Sequence, residues 1–345
     1  MSAPTLRVFP ANASPPSPPA SIRYLSRLLI SPSQIILAVL PVYLLMATGA
    51  VLRKTRILKR EHDAGIMHIV FSVMLPCFIL DRTLGEDILQ NFGTLTTGAG
   101  LGFLFIVTGI AIGWIGAKSI GLSPGKGFRT FALASGCQNY GFAAVPVVEI
   151  LWGSSAVALL FVHNIGVEVA IWSVGVMILS GEKGIQWKRL INGPIIAVAL
   201  ALTLVTLGVD DKVTGPIRTT LSMIGIGAFP IAILMTGASI ADLVGTEKPS
   251  WKIALASCIV RLVVVPVIII LCAKFIPMSV ELRQILVVQA AMPAALVPIL
   301  LARIYGGQPG VAVQVVVATT LVSLITLPFL IYHGARFLEL VPPAR

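Results

Sequence analysis

The stretch QAAMPAALVPILLARIYGG, residues 289 to 307, is apolar enough to cross a membrane as a helix, yet it carries Pro293 and Pro298 near its middle. A proline inside a helix deletes a backbone hydrogen bond and clashes with the preceding turn, at a cost of about 3 kcal/mol in water. A break at that depth has to be compensated by the fold, and the rest of the chain indicates how.

The chain has 345 residues, 57% of them hydrophobic and 11% charged, with a mean hydropathy of +0.96. A water-soluble domain does not carry that composition. Apolar runs of roughly 18 to 25 residues recur, each long enough to cross a hydrocarbon core of about 30 Å as a helix. Their continuous apolarity excludes the alternation of an outer-membrane β-barrel. The fold class is therefore an all-α polytopic membrane protein embedded in a lipid bilayer. Cys77, Cys137, Cys258 and Cys272 stand in apolar runs without CxxC spacing, which makes them small core residues rather than disulfides or metal ligands. The formal charge of +11 is spread over many short loops, as membrane topology requires, so nucleic acid is not an expected partner.

Residues 1 to 31 are rich in Pro, Ser and Ala, as in SPPSPPAS at 14 to 21. Such a segment cannot bury a core and reads as a disordered tail; it lacks the apolar centre of a signal peptide. Ten spans are predicted after it, near 34 to 52, 63 to 81, 95 to 118, 128 to 151, 156 to 180, 191 to 208, 217 to 241, 251 to 274, 282 to 304 and 310 to 335. Loops after the odd-numbered spans hold fourteen Lys and Arg residues against ten on the other side, with Arg53, Lys54, Arg56, Lys59 and Arg60 supplying the margin. The positive-inside rule then places both termini outside the cytoplasm.

An internal repeat fits this count. LPCFIL at 75 to 80 in span 2 matches FPIAIL at 229 to 234 in span 7, and spans 4 and 9 end in ILWG (150 to 153) and RIYG (303 to 306). An offset of five spans forces the second half to enter the membrane with opposite orientation. The expected organisation is two inverted five-helix repeats, 32 to 183 and 184 to 345, an architecture common among secondary transporters.

In such transporters the substrate binds near the bilayer centre, where paired discontinuous helices expose backbone groups. Irregular backbone survives there only when buried in protein or lining a wet cavity. Pro293 and Pro298 interrupt span 9. Its repeat mate, ASGCQNYGFAAVPVVEILWG at 134 to 153, carries two glycines before its last turn, Pro146 and the polar cluster Gln138, Asn139 and Tyr140. Pro41, Pro76, Pro230, Pro266 and Pro328 are expected only to kink their helices.

These residues carry a resemblance. VVQAAMPAALVPILLARIYGGQPGVAVQVVVATTLVSLITLPFLI, 287 to 331, resembles the last two helices of the auxin efflux carrier family, and QNYGFAAVP, 138 to 146, is similar to its span 4 motif, an asparagine followed seven residues later by proline. The resemblance covers about residues 34 to 335. It implies ten helices in two inverted repeats, as in the bile-acid-sodium symporter fold, with spans 4 and 9 crossing at their broken centres. It also implies a scaffold of spans 1, 2, 6 and 7, a transport domain that moves like an elevator, and a homodimer. The implied substrates are carboxylates, indole-3-acetate in plants and dicarboxylates such as malonate in bacteria. Gln138 stands where plant carriers have a proline, and the central loop is only about GEKGIQWKR, so the chain is similar to a short bacterial member residing in the inner membrane.

The resemblance makes Asn139 the binding-site asparagine, whose amide donates to a carboxylate beside the positive end of a half-helix. Gln138 and Tyr140 flank it, and Gln289, Met292 and Pro293 form the opposing half-site; Gln289 and Tyr140 read equally well as hydrogen-bonding partners of neighbouring helices. Ionisable residues within spans are functional candidates by default, here Glu149, His163, Glu168 and Arg261. Glu168 or Glu149 is the expected proton carrier, with Glu149 alternatively a surface carboxylate. His163 and Glu168 are five residues apart, about 140° round a helix. Arg261 is expected either to pair with Glu168 or to receive the anion. Asp81 and Arg82, which end span 2, are expected to be solvated.

No HExxH or phosphate-binding loop is present in the sequence, so no enzyme activity, metal or cofactor is expected. The leading reading is a permease or efflux carrier of a small organic anion, with protons as the expected coupling ion. The alternatives are a passive uniporter or channel and a sodium-coupled symporter of the bile-acid type.

Overall fold

The computed structural model describes residues 32–181, 191–244 and 249–340. The tail at 1 to 31 and the boundary expected at 183/184 lie outside them. Among the described residues the regular structure is helical, with one isolated antiparallel bridge.

In chain order the helices are α1 (Ser33–Lys54), α2 (Arg60–Thr83) and α3 (Phe92–Ser119), then the short α4 (Phe128–Gly136) and α5 (Ala144–Trp152). α6 (Ser154–Ser180) leads to α7 (Gly193–Thr206), followed by α8 (Gly215–Leu243) and α9 (Trp251–Phe275). Two further short helices, α10 (Val280–Ala291) and α11 (Val297–Ile304), precede α12 (Pro309–Phe337). Seven of these, α1, α2, α3, α6, α8, α9 and α12, are long and apolar enough to cross a membrane. Helix starts follow ordinary capping chemistry. The Asn91, Asn192 and Ser279 side chains accept from the backbone N–H three residues on, at 3.0, 3.1 and 3.2 Å, and open α3, α7 and α10.

The kinking prolines are absorbed locally. α2 and α9 each contain a π-helical turn, Val70–Met74 and Val260–Val264, which shifts the hydrogen-bond register just before Pro76 and Pro266. Pro230 follows a turn at residues 226 and 227. α6 has a third π turn at Ile171–Gly175.

Two packed groups emerge. α1 lies along the second half of α8, and α2 along α7 and the first half of α8. α3 packs on α4 and α6, while α9 and α10 pack on α12. Small residues allow these approaches: a Cβ on Gly166 would strike the backbone carbonyl of Ala99, and one on Gly136 the backbone of Gly109 and Ile110.

Charge ties α2 to α8 at both ends. Arg53 contacts Asp63 and Asp242 at 2.6 and 3.2 Å, and Arg60 contacts Asp242 at 3.1 Å. At the other end Arg218 Nε meets Asp81 Oδ1 at 2.9 Å, and Arg82 joins Asp81 and Glu149, both at 2.6 Å. The expectation that Asp81 and Arg82 are solvated is therefore wrong. Asp81 is only 7% exposed, because the start of α8 folds over the end of α2 and lays Arg218 against it.

Candidate functional site

α4 stops at Gly136 and α5 starts at Ala144; α10 stops at Ala291 and α11 starts at Val297. The two gaps meet. Gln138 and Ala294 form the antiparallel bridge, with Asn139 N–H donating to Pro293 O at 2.8 Å and Ala295 N–H to Cys137 O at 2.9 Å. Each interruption thus satisfies backbone groups that the other leaves free, as buried irregular backbone must.

The prolines divide by role. Pro293 lies in the gap itself. Pro146 and Pro298 instead occupy the first turns of α5 and α11, where a missing N–H is unpaired anyway. They start the second half-helices, which corrects the expectation that all three are breaks.

Side chains pin the span 4 gap in place. The carbonyl of Tyr140 accepts from Asn164 Nδ2 and from Gln289 Nε2, both at 3.1 Å, and Gln289 Nε2 also lies 3.4 Å from Asn164 Oδ1. The Tyr140 hydroxyl donates to Glu168 Oε1 at 2.6 Å, and Trp172 Nε1 to Glu168 Oε2 at 2.7 Å. Tyr140 and Gln289 therefore do bond neighbouring helices. Asn139 is different: its Oδ1 lies 3.5 Å from the Ala143 N–H, and its Nδ2 makes no hydrogen bond to any described residue.

A cavity of about 130 Å³ opens beside the gaps. Its apolar wall comes from α2, α7 and α8 through Phe71, Leu75, Ile195 and Phe229, and its polar wall from Asn139, Tyr140, Asn164 and Glu168. It lies between the two packed groups. A smaller hollow on the other side of the gaps is lined by Tyr43, Asn139, Thr236, Pro293 and Thr320, so Asn139 borders both. Gln138, Met292 and Gln289 are buried at 1%, 0% and 1% exposure and line neither space.

The remaining ionisable candidates sit elsewhere. Glu149 belongs to the Arg82 ion pair, away from the cavity. His163 is buried with Nδ1 3.0 Å from Gly98 O and makes no contact with Glu168. Arg261 makes no ion pair with Glu168: its Nη2 donates to the carbonyls of Gln289 and Ala290 at 3.3 and 3.2 Å, and no described carboxylate lies within ion-pair distance of it. Sequence reasoning missed Asn164 and Trp172. The signal was present as Asn164, Glu168 and Trp172 at four-residue spacing, which places them along one face of α6.

Residues 34–331 match the family described as Membrane transport protein. A protein of Methanothermobacter thermautotrophicus named as an uncharacterized transporter is 23% identical over 209 residues, which cover 59% of this chain and 67% of that one. With most of its length matched and seven helices able to span a bilayer, the chain belongs to the membrane transport protein family, that of the auxin efflux carriers, and is an integral membrane transporter.

Proposed function

We propose that the protein is a secondary carrier of a small organic anion, a mono- or dicarboxylate, which binds at the meeting of the two chain breaks. Asn139 carries this reading. It stands in the gap between two half-helices, bordering spaces on both sides, with an amide free to donate to a carboxylate. α5 starts at Ala144 and so turns its positive dipole end toward the gap, which favours an anion.

In this account α4 with α5 and α10 with α11 each make one interrupted span, and α7 makes another, which brings the total to ten in two inverted repeats. α1, α2, α7 and α8 form a scaffold through whose outer face two chains pair as a homodimer, and the remaining helices move against it as an elevator. The cavity between the two groups supports that division. The membrane is the bacterial inner membrane, with the N-terminus outside the cytoplasm.

Proton coupling follows from Glu168. It is the ionisable acid on the cavity wall, and a substrate carboxylate beside it cannot share so small a space while both are charged. One proton therefore travels with the anion, held between Glu168 and the substrate. Glu149 is not the carrier of that proton, because Arg82 neutralises it.

The test is uptake of labelled malonate, succinate and indole-3-acetate into proteoliposomes with and without an inward proton gradient. Saturable uptake of at least one acid, accelerated by the gradient, is the expected result. No flux of any of the three by folded protein would remove the carboxylate assignment, and flux indifferent to the gradient would remove the proton.

A further inference from the structure

Among the described residues, Arg261 is the largest side chain with no exposed surface. It projects from the π turn of α9, a local widening often found where a helix presents a functional group. A cation buried without a carboxylate partner is costly, so its retention at this place needs a physical reason.

The reason lies in the break it touches. In an unbroken helix the carbonyl of Gln289 would accept from the N–H of residue 293, but that residue is Pro293 and has none. The carbonyl of Ala290 would accept from Ala294, whose N–H instead donates to Thr319 Oγ1 at 3.1 Å. Both carbonyls stand at the C-terminal, negative end of α10. Met292 N–H reaches the Gln289 carbonyl only at 3.4 Å, and Arg261 Nη2 is the side-chain donor that meets both carbonyls. Its Nε and Nη1 find no partner among the described residues, so the guanidinium is held mainly by this carbonyl end. In transporters built on broken helices, unwound carbonyls and half-helix C-termini are where a coupling sodium ion binds.

We infer that Arg261 is a resident cation: its guanidinium takes the place at the carbonyl end of α10 that a coupling sodium ion would occupy, and so removes sodium from the transport cycle. Arg261 lines neither of the spaces at the gaps and acts as a positioning residue, through the α10 carbonyls, rather than as a substrate contact. The charge is covalently tethered and always present, so the half-helix end is neutralised in every state of the carrier. The inference rests on the carrier reading only for the assignment of α10 as a half-helix. Its test reads heat stability rather than flux, so it stands or falls separately from the choice of substrate and proton.

The experiment is thermal unfolding of the purified full-length chain in detergent, in sodium chloride and in N-methyl-D-glucamine chloride at equal ionic strength. The wild type should melt at the same temperature in both. Arg261→Ser, which opens the carbonyl site and adds a hydroxyl oxygen, should melt lower and regain about 3 °C or more in sodium, saturably. Arg261→Lys keeps a tethered cation and should be as indifferent to sodium as the wild type. A sodium-specific rise in the wild type, or a folded Arg261→Ser chain indifferent to sodium, would overturn the inference. Should Arg261→Ser fail to fold in both salts, Arg261→Lys decides: a folded, sodium-indifferent protein supports the resident cation, and one that is unfolded or sodium-dependent refutes it.

Discussion

The backbone N–H of Asn139 donates to the carbonyl of Pro293 at 2.8 Å, joining the two helix breaks across 154 positions of sequence. The helix interruption between Ala291 and Val297 leaves the Pro293 carbonyl without a helical partner, and the other break supplies the donor. The same arrangement leaves the Asn139 side chain at the gap with its amide free.

Glu168 and Glu149 separate in their predicted effects on proton dependence. Glu168→Gln removes the acid from the cavity wall and should abolish the stimulation of uptake by an inward proton gradient. Glu149→Gln alters only the Arg82 pair and should leave that stimulation intact. Initial uptake rates at matched internal and external pH, and with a gradient imposed, distinguish the two.

Gly136 and Gly166 sit where another backbone occupies the position of a side chain. Gly136→Ala or Gly166→Ala should each lower stability by about 1–3 kcal/mol, through forced separation of α3 from α4 or α6. Gly100, in the same helix α3 but with nothing within 4 Å of an added Cβ, is the control. Gly100→Ala should be neutral or stabilising by about 0.5–1 kcal/mol. Melting temperatures in detergent provide the comparison.

Asp81 joins Arg82 and Arg218 at one end of the α2 and α8 pair. Asp81→Asn should destabilise the protein by about 2 kcal/mol, because two partly buried arginines lose their shared charge. Arg218 retains a bond to the Leu84 carbonyl at 3.1 Å, which limits the loss. A melting temperature lowered in Asp81→Asn, with a smaller change in Lys274→Ala at the exposed Glu339 pair, is the expected pattern.

Apolar run length made the membrane class and the long helices legible in the sequence, since crossing a bilayer demands both length and continuous apolarity. Pro293 and the Gln138, Asn139 and Tyr140 cluster marked where the two breaks fall. The roles of Pro146 and Pro298 were not legible, because a proline that starts a half-helix and one that breaks a helix look alike without the helix ends. Asp81 and Arg82 read as a solvated helix end, and only the long-range placement of Arg218 buries Asp81 and leaves Arg82 half-buried beside it. Asn164 was not legible because it carries no charge, and its signal lay in the four-residue stripe of Asn164, Glu168 and Trp172.

The most direct measurement is counterflow of labelled substrate in proteoliposomes holding wild-type or Asn139→Ala protein, with folding of both checked by melting temperature. Counterflow needs no driving gradient, so it isolates the binding site from coupling. The account predicts a loss of about tenfold or more in Asn139→Ala, as for removal of a hydrogen bond to a charged group. Wild-type counterflow by a folded Asn139→Ala protein would contradict it.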